Sequence, residues 1–215
     1  MLDHQKRRDM LKAAHNQYGV SLLELMIAIA IGSVLLMLGI PSFKSWIQNT
    51  QTRTAAESIL NGLQIARTEA VRRNTDVRFK LTDASGMVAW RVDCVTVVTM
   101  QPDGYECPVG IQSRVGNEGG TNARVGISVA PFPSSPIPAS YFNDPGVAAG
   151  LPAGVTFDGL GRVPLANAGV DITLIGVTNA QSATARRMVI VIRTGGQIRM
   201  CDPAVSLASN PQGCS

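Results

Sequence analysis

Between Gly19 and Pro41 the chain reads G-V-S-L-L-E-L-M-I-A-I-A-I-G-S-V-L-L-M-L-G-I-P, and Glu24 is the single ionisable side chain in it. A carboxylate in hydrocarbon costs about 2.5–3.5 kcal/mol on insertion scales, so it needs a partner that this run does not contain. A plainer reading makes Glu24 an interfacial acid, four residues past Val20, whose carboxylate reaches toward lipid headgroups.

Other residue types that could do chemistry are sparse. His4 and His15 are the only histidines and both precede Gly19, so Ser-His and Cys-His nucleophilic schemes are excluded from the chain beyond it. Asp93, Asp103, Glu106 and Glu118 could form an acid pair, but their spacing specifies none, and solvated loop acids are the simpler reading. The glycines of G-L-G-R, Gly159 to Arg162, lack the strand-to-helix setting and the Lys-Ser/Thr of a phosphate loop and read as turn residues. No enzyme is expected, and no cofactor or metal.

Cys94, Cys107, Cys201 and Cys214 all lie beyond the apolar run, as an exported domain would have them. Four cysteines allow three pairings, of which two local bridges, Cys94 with Cys107 and Cys201 with Cys214, are the simplest. Closing a loop of about 15 residues is worth on the order of 3 kcal/mol in the chain-entropy model. Zinc is the rival, but there is no C-x-x-C pair and no histidine nearby.

The elements that must position these residues follow from hydropathy and turn chemistry. Val20 to Ile40 is 21 residues, about 31 Å as a helix against a hydrocarbon core of roughly 30 Å, so it can span a membrane. Lys6, Arg7, Arg8 and Lys12 precede it and only Lys44 closely follows, which puts the N-terminus in the cytoplasm and the rest outside. The run is too long for the apolar region of a secretory signal peptide, and no A-x-A-like site ends it. Of the net charge of +4, the segment before Val20 supplies +2, leaving a remainder too mildly basic to imply nucleic acid binding by itself.

Pro41 should kink the helix without ending it, because helical periodicity resumes in an amphipathic stretch with Ile59, Leu63, Ala66 and Ala70 on one face. Phe43 and Trp46 suit the outer membrane interface. Arg72 and Arg73 suit the negative end of the helix dipole, and Asn74 is a stop. Strands are predicted at Asp76–Leu81, Met87–Cys94, Gly154–Phe157, Asp171–Val177 and Arg187–Arg193. Gly195-Gly196 then reads as a two-residue turn closing a final hairpin. Between Cys94 and Gly154 the pattern is irregular, and the proline-rich Ala130–Ser140 reads as a surface loop. The expected fold is a single α+β domain in which a long N-terminal helix, transmembrane in its first half, packs on an antiparallel sheet.

The junction Gly19-Val20-Ser21-Leu22-Leu23-Glu24, the apolar helix and Pro41 resemble the N-terminus of a type IV pilin-like precursor. The stretches Ala66–Val77, Gly154–Arg162 and Gly196–Pro203 are similar to the GspH/FimT-like branch of minor pilins and pseudopilins. The resemblance implies a pilin-like fold and cleavage by a prepilin peptidase between Gly19 and Val20, with N-methylation of Val20. It further implies an inner-membrane protein with its C-terminal domain in the periplasm, whose partners are lipid and other pilins or pseudopilins. On this reading residues 1–19 are a cytoplasmic leader, 20–40 the transmembrane helix, 41–74 its amphipathic continuation and 75–215 the periplasmic sheet domain. Glu24 would pair with the amine freed at Val20, on its own helix or a neighbour's, and so set axial register.

The implied function is a structural subunit of a type IV pilus or of a type II secretion pseudopilus, and the Cys201 to Cys214 loop leans toward the pilus. Some FimT-like proteins bind DNA through a G-R-x-R motif on the last hairpin. Here that stretch is Gly196-Gln197-Ile198-Arg199, without the first arginine. Arg186, Arg187, Arg193 and Arg199 could contact phosphates, but charges that protect a sheet edge are the favoured reading, so DNA is a possible partner that is not favoured.

Overall fold

The computed structural model describes residues 19–99, 106–118, 120–130, 153–167 and 170–214. His4, His15, Asp103 and most of the proline-rich segment lie outside them. The chain divides into two units, Met1–Phe43 and Lys44–Ser215, and helix α1, Leu22–Arg73, contributes to both.

In the second unit α1 buries Ala55, Ala56, Ile59, Leu63, Ala66 and Ala70, a stripe recurring at three and four residues. The stripe is narrow and built of small side chains, so sheets can approach the helix backbone closely. Gly62 carries this furthest. A Cβ there would lie 2.8 Å from the Phe79 ring and 3.0 Å from that of Trp90. The two rings meet at 5.9 Å between centroids, and the Trp90 indole N–H donates to Ser58 Oγ at 3.0 Å.

The helix stops at Asn74, whose φ of 48° places it in the left-handed region. Asn74 N–H donates to Val71 O at 3.3 Å and Thr75 N–H to Ala70 O at 3.2 Å, the paired bonds of a Schellman motif. One turn earlier Glu69 accepts from both Arg72 and Arg73. The hydrogen bond from Arg72, with that from Arg73 and the two positive charges, holds the Glu69 carboxyl below its ordinary value against the opposing effect of burial. Arg73 also donates to Glu106 O, tying the loop after Cys94 to the helix end.

Among the described residues eight strands follow: β1 Val77–Leu81, β2 Trp90–Cys94, β3 Gln112–Arg114, β4 Ala123–Ser128, β5 Gly154–Phe157, β6 Leu174–Asn179, β7 Met188–Ile192 and β8 Ile198–Cys201. They form two four-stranded sheets of order β3-β2-β1-β5 and β4-β6-β7-β8, antiparallel at every strand pair. Helix, first sheet and second sheet share one core, in which Phe79, Val92 and Phe157 join Val125, Ile175, Val177 and Ile190.

Several expectations need correction. One sheet was expected and two are present. The region after Cys94 is not all irregular, because β3 and β4 lie in it; β3 is short and polar enough to leave no strand pattern. The predicted strand at Asp171 begins instead at Leu174, because residues 171–173 cross between the sheets. Ile172 N–H donates to Gly154 O at 2.9 Å and Thr173 N–H to Ser128 O at 2.9 Å. Met87–Ala89 likewise precede β2 in a turn, with Ala89 N–H donating to Met87 O at 2.8 Å.

The final hairpin turns through three residues, not two. Gly196 N–H donates to Arg193 O at 2.8 Å, and Arg193 N–H to Gln197 O at 2.9 Å. Only Gly196, at φ 75°, is left-handed, which is the three-residue loop with a bulge glycine. Gly196 also has a packing reason, since a Cβ there would collide with Gly161 O, itself the acceptor for Arg67 Nε at 3.1 Å.

Two predictions follow from this packing. Gly62→Val should cost about 1–3 kcal/mol by overpacking the aromatic pair, seen as a Tm lower by roughly 2–12 °C for a chain of this size; an unchanged Tm would mean the rings are not seated there. Glu69, with its folded pKa depressed, contributes stability above its unfolded value of about 4.3 and loses it as pH falls through the folded value. Glu69→Gln should therefore lower Tm at neutral pH and converge with the parent in acid below that range.

Candidate assembly helix and the charges around the sheet

Gly19, Val20 and Ser21 are exposed and non-helical, and α1 begins at Leu22 with Leu25 N–H donating to Ser21 O at 3.0 Å. The Gly19–Val20 peptide bond therefore stands in exposed, non-helical chain directly ahead of the helix. Glu24 is exposed in the first turn, where the helix dipole favours a negative charge. From Leu22 to Ile40 the helix buries nothing: Leu22 is 76% and Met37 78% exposed. It is long and apolar enough to cross a membrane. The helix continues through Pro41, and Phe43 and Trp46 are exposed beyond it.

Where α1 enters the second unit its contacts are polar. Asn179 Nδ2 donates to Gln48 O at 3.4 Å, and Arg186 N–H to Asn49 Oδ1 at 2.8 Å. Asn122 Nδ2 lies 3.5 Å from Gln51 Oε1. Nothing in the sequence pattern singles out these amides, because their partners are 71 to 137 residues away.

The cysteines pair as Cys94 with Cys107 and Cys201 with Cys214. The second bridge closes a loop over the outer face of the second sheet, where Leu174, Val189 and Val191 are buried with both its sulfurs. That cover explains why β7 reads M-V-I-V-I without alternation: both of its faces are dry.

Two of the four arginines considered for DNA hold parts of the fold together. Arg186 lies 2.9 Å from the buried Asp202 carboxylate. Arg199 donates to Pro211 O at 3.1 Å and Gly213 O at 2.6 Å, holding the disulfide loop down. Arg187 is half-buried and Arg193 exposed at the other end of β7, with the five strand residues between them, or about 20 Å away. The set is not one patch. Asp93, among the acids considered for catalysis, is neutralised by Lys80 at 3.3 Å and Arg91 at 2.8 Å. Among the described residues no three His, Cys, Asp or Glu side chains gather as a metal cage.

Residues 55–196 match the family described as Type II transport protein GspH, and residues 14–40 match the prokaryotic N-terminal methylation motif. The type IV minor pilin FimU of Pseudomonas aeruginosa PAO1 is similar at 15% identity, covering 76% of this chain and 94% of that one, with a TM-score of 0.44. The minor pseudopilin EpsH from the type 2 secretion system of Vibrio cholerae is similar at 10% identity, covering 72% and 99%, with a TM-score of 0.41. No curated protein matches the sequence.

Arg199→Ala should release the C-terminal loop, at a cost of about 1–2 kcal/mol for charge-assisted bonds at a half-exposed site. Hydrogen exchange at residues 202–213 should rise while exchange in β1 and β2 stays the same. Unchanged protection in that loop would show that the disulfide alone holds it.

Proposed function

The chain belongs to the GspH family, whose members are minor pilins and pseudopilins, and from that premise we propose that it is a prepilin-type subunit taking part in assembly or initiation of a type IV pilus. One observation carries this reading: a helix that buries nothing from Leu22 to Ile40, has an acid in its first turn, and starts just after exposed, non-helical Gly19 and Val20. Such a surface cannot remain in water, and both a bilayer and a bundle of like helices would cover it.

A prepilin peptidase cuts between Gly19 and Val20, removing the cytoplasmic leader, and Val20 is then methylated. Residues 20–40 hold the chain in the inner membrane, residues 41–74 continue the helix past a kink at Pro41, and residues 75–215 lie in the periplasm. On assembly the apolar helix passes from lipid into a core shared with other pilins, so it is covered throughout. Glu24 finds its counter-charge in the amine at Val20, on its own helix or a neighbour's, and this pairing sets axial register. The subunit's part is structural, not catalytic.

A second reading, a pseudopilin of the type II secretion system, is supported by the description of the family itself. DNA binding is the less favoured reading, since Arg186 and Arg199 are engaged within the chain.

Mass spectrometry of membrane-extracted protein should give a chain beginning at Val20, 14 Da heavier where methylated (one CH₂). Glu24→Ala should leave cleavage largely intact and reduce incorporation into the sheared filament fraction about tenfold or more, in line with an unpaired charge cost of a few kcal/mol. An intact leader in cells with an active peptidase, or normal incorporation of Glu24→Ala, would refute the respective part.

A further inference from the structure

The outer faces of the two sheets differ. That of the second is covered by the disulfide loop, whereas that of the first carries charge. Alternation along the strands puts Arg78 and Lys80 of β1, Arg91 and Asp93 of β2, and Gly154 and Thr156 of β5 on this face.

Lys80 stands directly opposite Arg91, a like-charge pair that would be unfavourable alone. Asp93 resolves it: its Oδ2 takes Lys80 at 3.3 Å and Arg91 at 2.8 Å, and its Oδ1 accepts Gly110 N–H at 2.8 Å. Arg78 has no such arrangement. Its Nη2 is 3.9 Å from Asp171 Oδ1, beyond hydrogen-bond reach, and the other Asp171 oxygen is taken by Thr156 N–H at 2.8 Å and Asn167 Nδ2 at 3.0 Å. Arg78 Nε is buried without a hydrogen-bond partner among the described residues, while the side chain as a whole stays 38% exposed. The guanidinium lies against the bare backbone of Gly154, where a Cβ would come within 2.8 Å of Nε.

The face thus has three cations against two acids, both of the latter buried, and one guanidinium with bonds unmade. A carboxylate matches that excess charge, because it meets the partly exposed end of a planar guanidinium with two parallel hydrogen bonds and adds one negative charge. A nucleic acid backbone does not match it. Polyanion binding gains from neutralising several phosphates together, and here a single positive charge is left over beside two fixed acids, on a face whose outward residues include no aromatic ring for stacking.

We propose that Arg78 is a docking residue for one Asp or Glu side chain of a neighbouring protein subunit, with Lys80 and Arg91 flanking it. The identity of the neighbour as a filament subunit rests on the function proposed above; the contact itself does not.

Carbodiimide cross-linking of full-length Arg78→Lys in the membranes of producing cells tests this, because it joins an amine only to a carboxylate already in contact. The expected product is a heavier band in which peptide mapping finds the introduced lysine bonded to an acidic residue of another polypeptide. The Lys80 to Asp93 link within the chain reports that the sheet is folded. With that internal link present, bonding only to Asp171, or no bond, overturns the proposal.

Arg78→Gln is the second arm. Its Tm should match the parent and its recovery in the filament fraction should fall about tenfold, by loss of a charge-assisted pair; unchanged recovery overturns the proposal. Salt-sensitive retention of the protein on duplex DNA that is lost in Arg78→Gln would overturn it in favour of phosphate. An unprocessed leader would sink the filament reading yet leave the cross-link in membranes readable, so the two failures are distinguishable.

Discussion

One helix has to satisfy two different apolar surroundings, and the rest of the structure is arranged around that constraint. From Leu22 to Ile40 it is apolar on every side and buries nothing. From Thr52 to Ala70 it is apolar on one stripe only, with Arg53, Glu57, Gln64 and Arg67 outside that stripe. An all-round apolar helix belongs in lipid or among other helices, and a striped one belongs on a core. The change of pattern is therefore a change of solvent written along a single continuous element. The small residues of the stripe matter as much as its hydrophobicity. Ala55, Ala56, Gly62, Ala66 and Ala70 add little apolar area themselves, and Gly62 lets Phe79 and Trp90 press on the helix backbone.

The joint between helix and second sheet relies on absent side chains in the same way. Gly161 presents its carbonyl to Arg67, and Gly196 fits against that carbonyl because it has no Cβ. Val163 N–H adds a bond to Thr194 O at 2.9 Å. The turn after β5 and the last hairpin are thus fastened to each other through backbone groups, and to α1 through the Arg67 side chain. This is the physical content of the G-L-G-R turn, which resembles a phosphate loop only in composition. Asp158 builds the turn from inside, its Oδ1 accepting the N–H groups of Leu160 and Arg162 at 2.9 Å each.

Much of this was legible in the sequence wherever a local rule decides the outcome. The stop at Asn74 depends on one residue's tolerance of positive φ, and β5 depends on four residues between turn formers, so both could be read directly. β3 and β4 could not. Gln112–Arg114 is held by pairing with β2, and Ala123–Ser128 by pairing with β6, some fifty residues away. The division into two sheets is likewise a statement about partners, which alternation along one strand does not contain. Gly195-Gly196 misled for a smaller reason: two adjacent glycines suggest two positive φ angles, and the hairpin uses one. Arg78 left no signal at all, because the charge imbalance around it arises only once β1, β2 and β5 are paired.

The acids of the chain supply the last step. Among the described residues each buried carboxylate of the sheet domain is answered from within: Asp93 by Lys80 and Arg91, Asp171 by Thr156 N–H and Asn167, Asp202 by Arg186 and by Ala204 N–H at 2.9 Å. A chain that neutralises its buried acids this consistently has no general tolerance for unpaired ones. Glu24 is the contrast. No cation lies between Gly19 and Pro41, and the nearest one along the helix, Lys44, is 20 residues on, about 30 Å away. In water such an acid would need no partner, but the surrounding side chains from Leu22 to Ile40 suit lipid, not water. The amine proposed at Val20 would supply the counter-charge that this apolar stretch itself lacks.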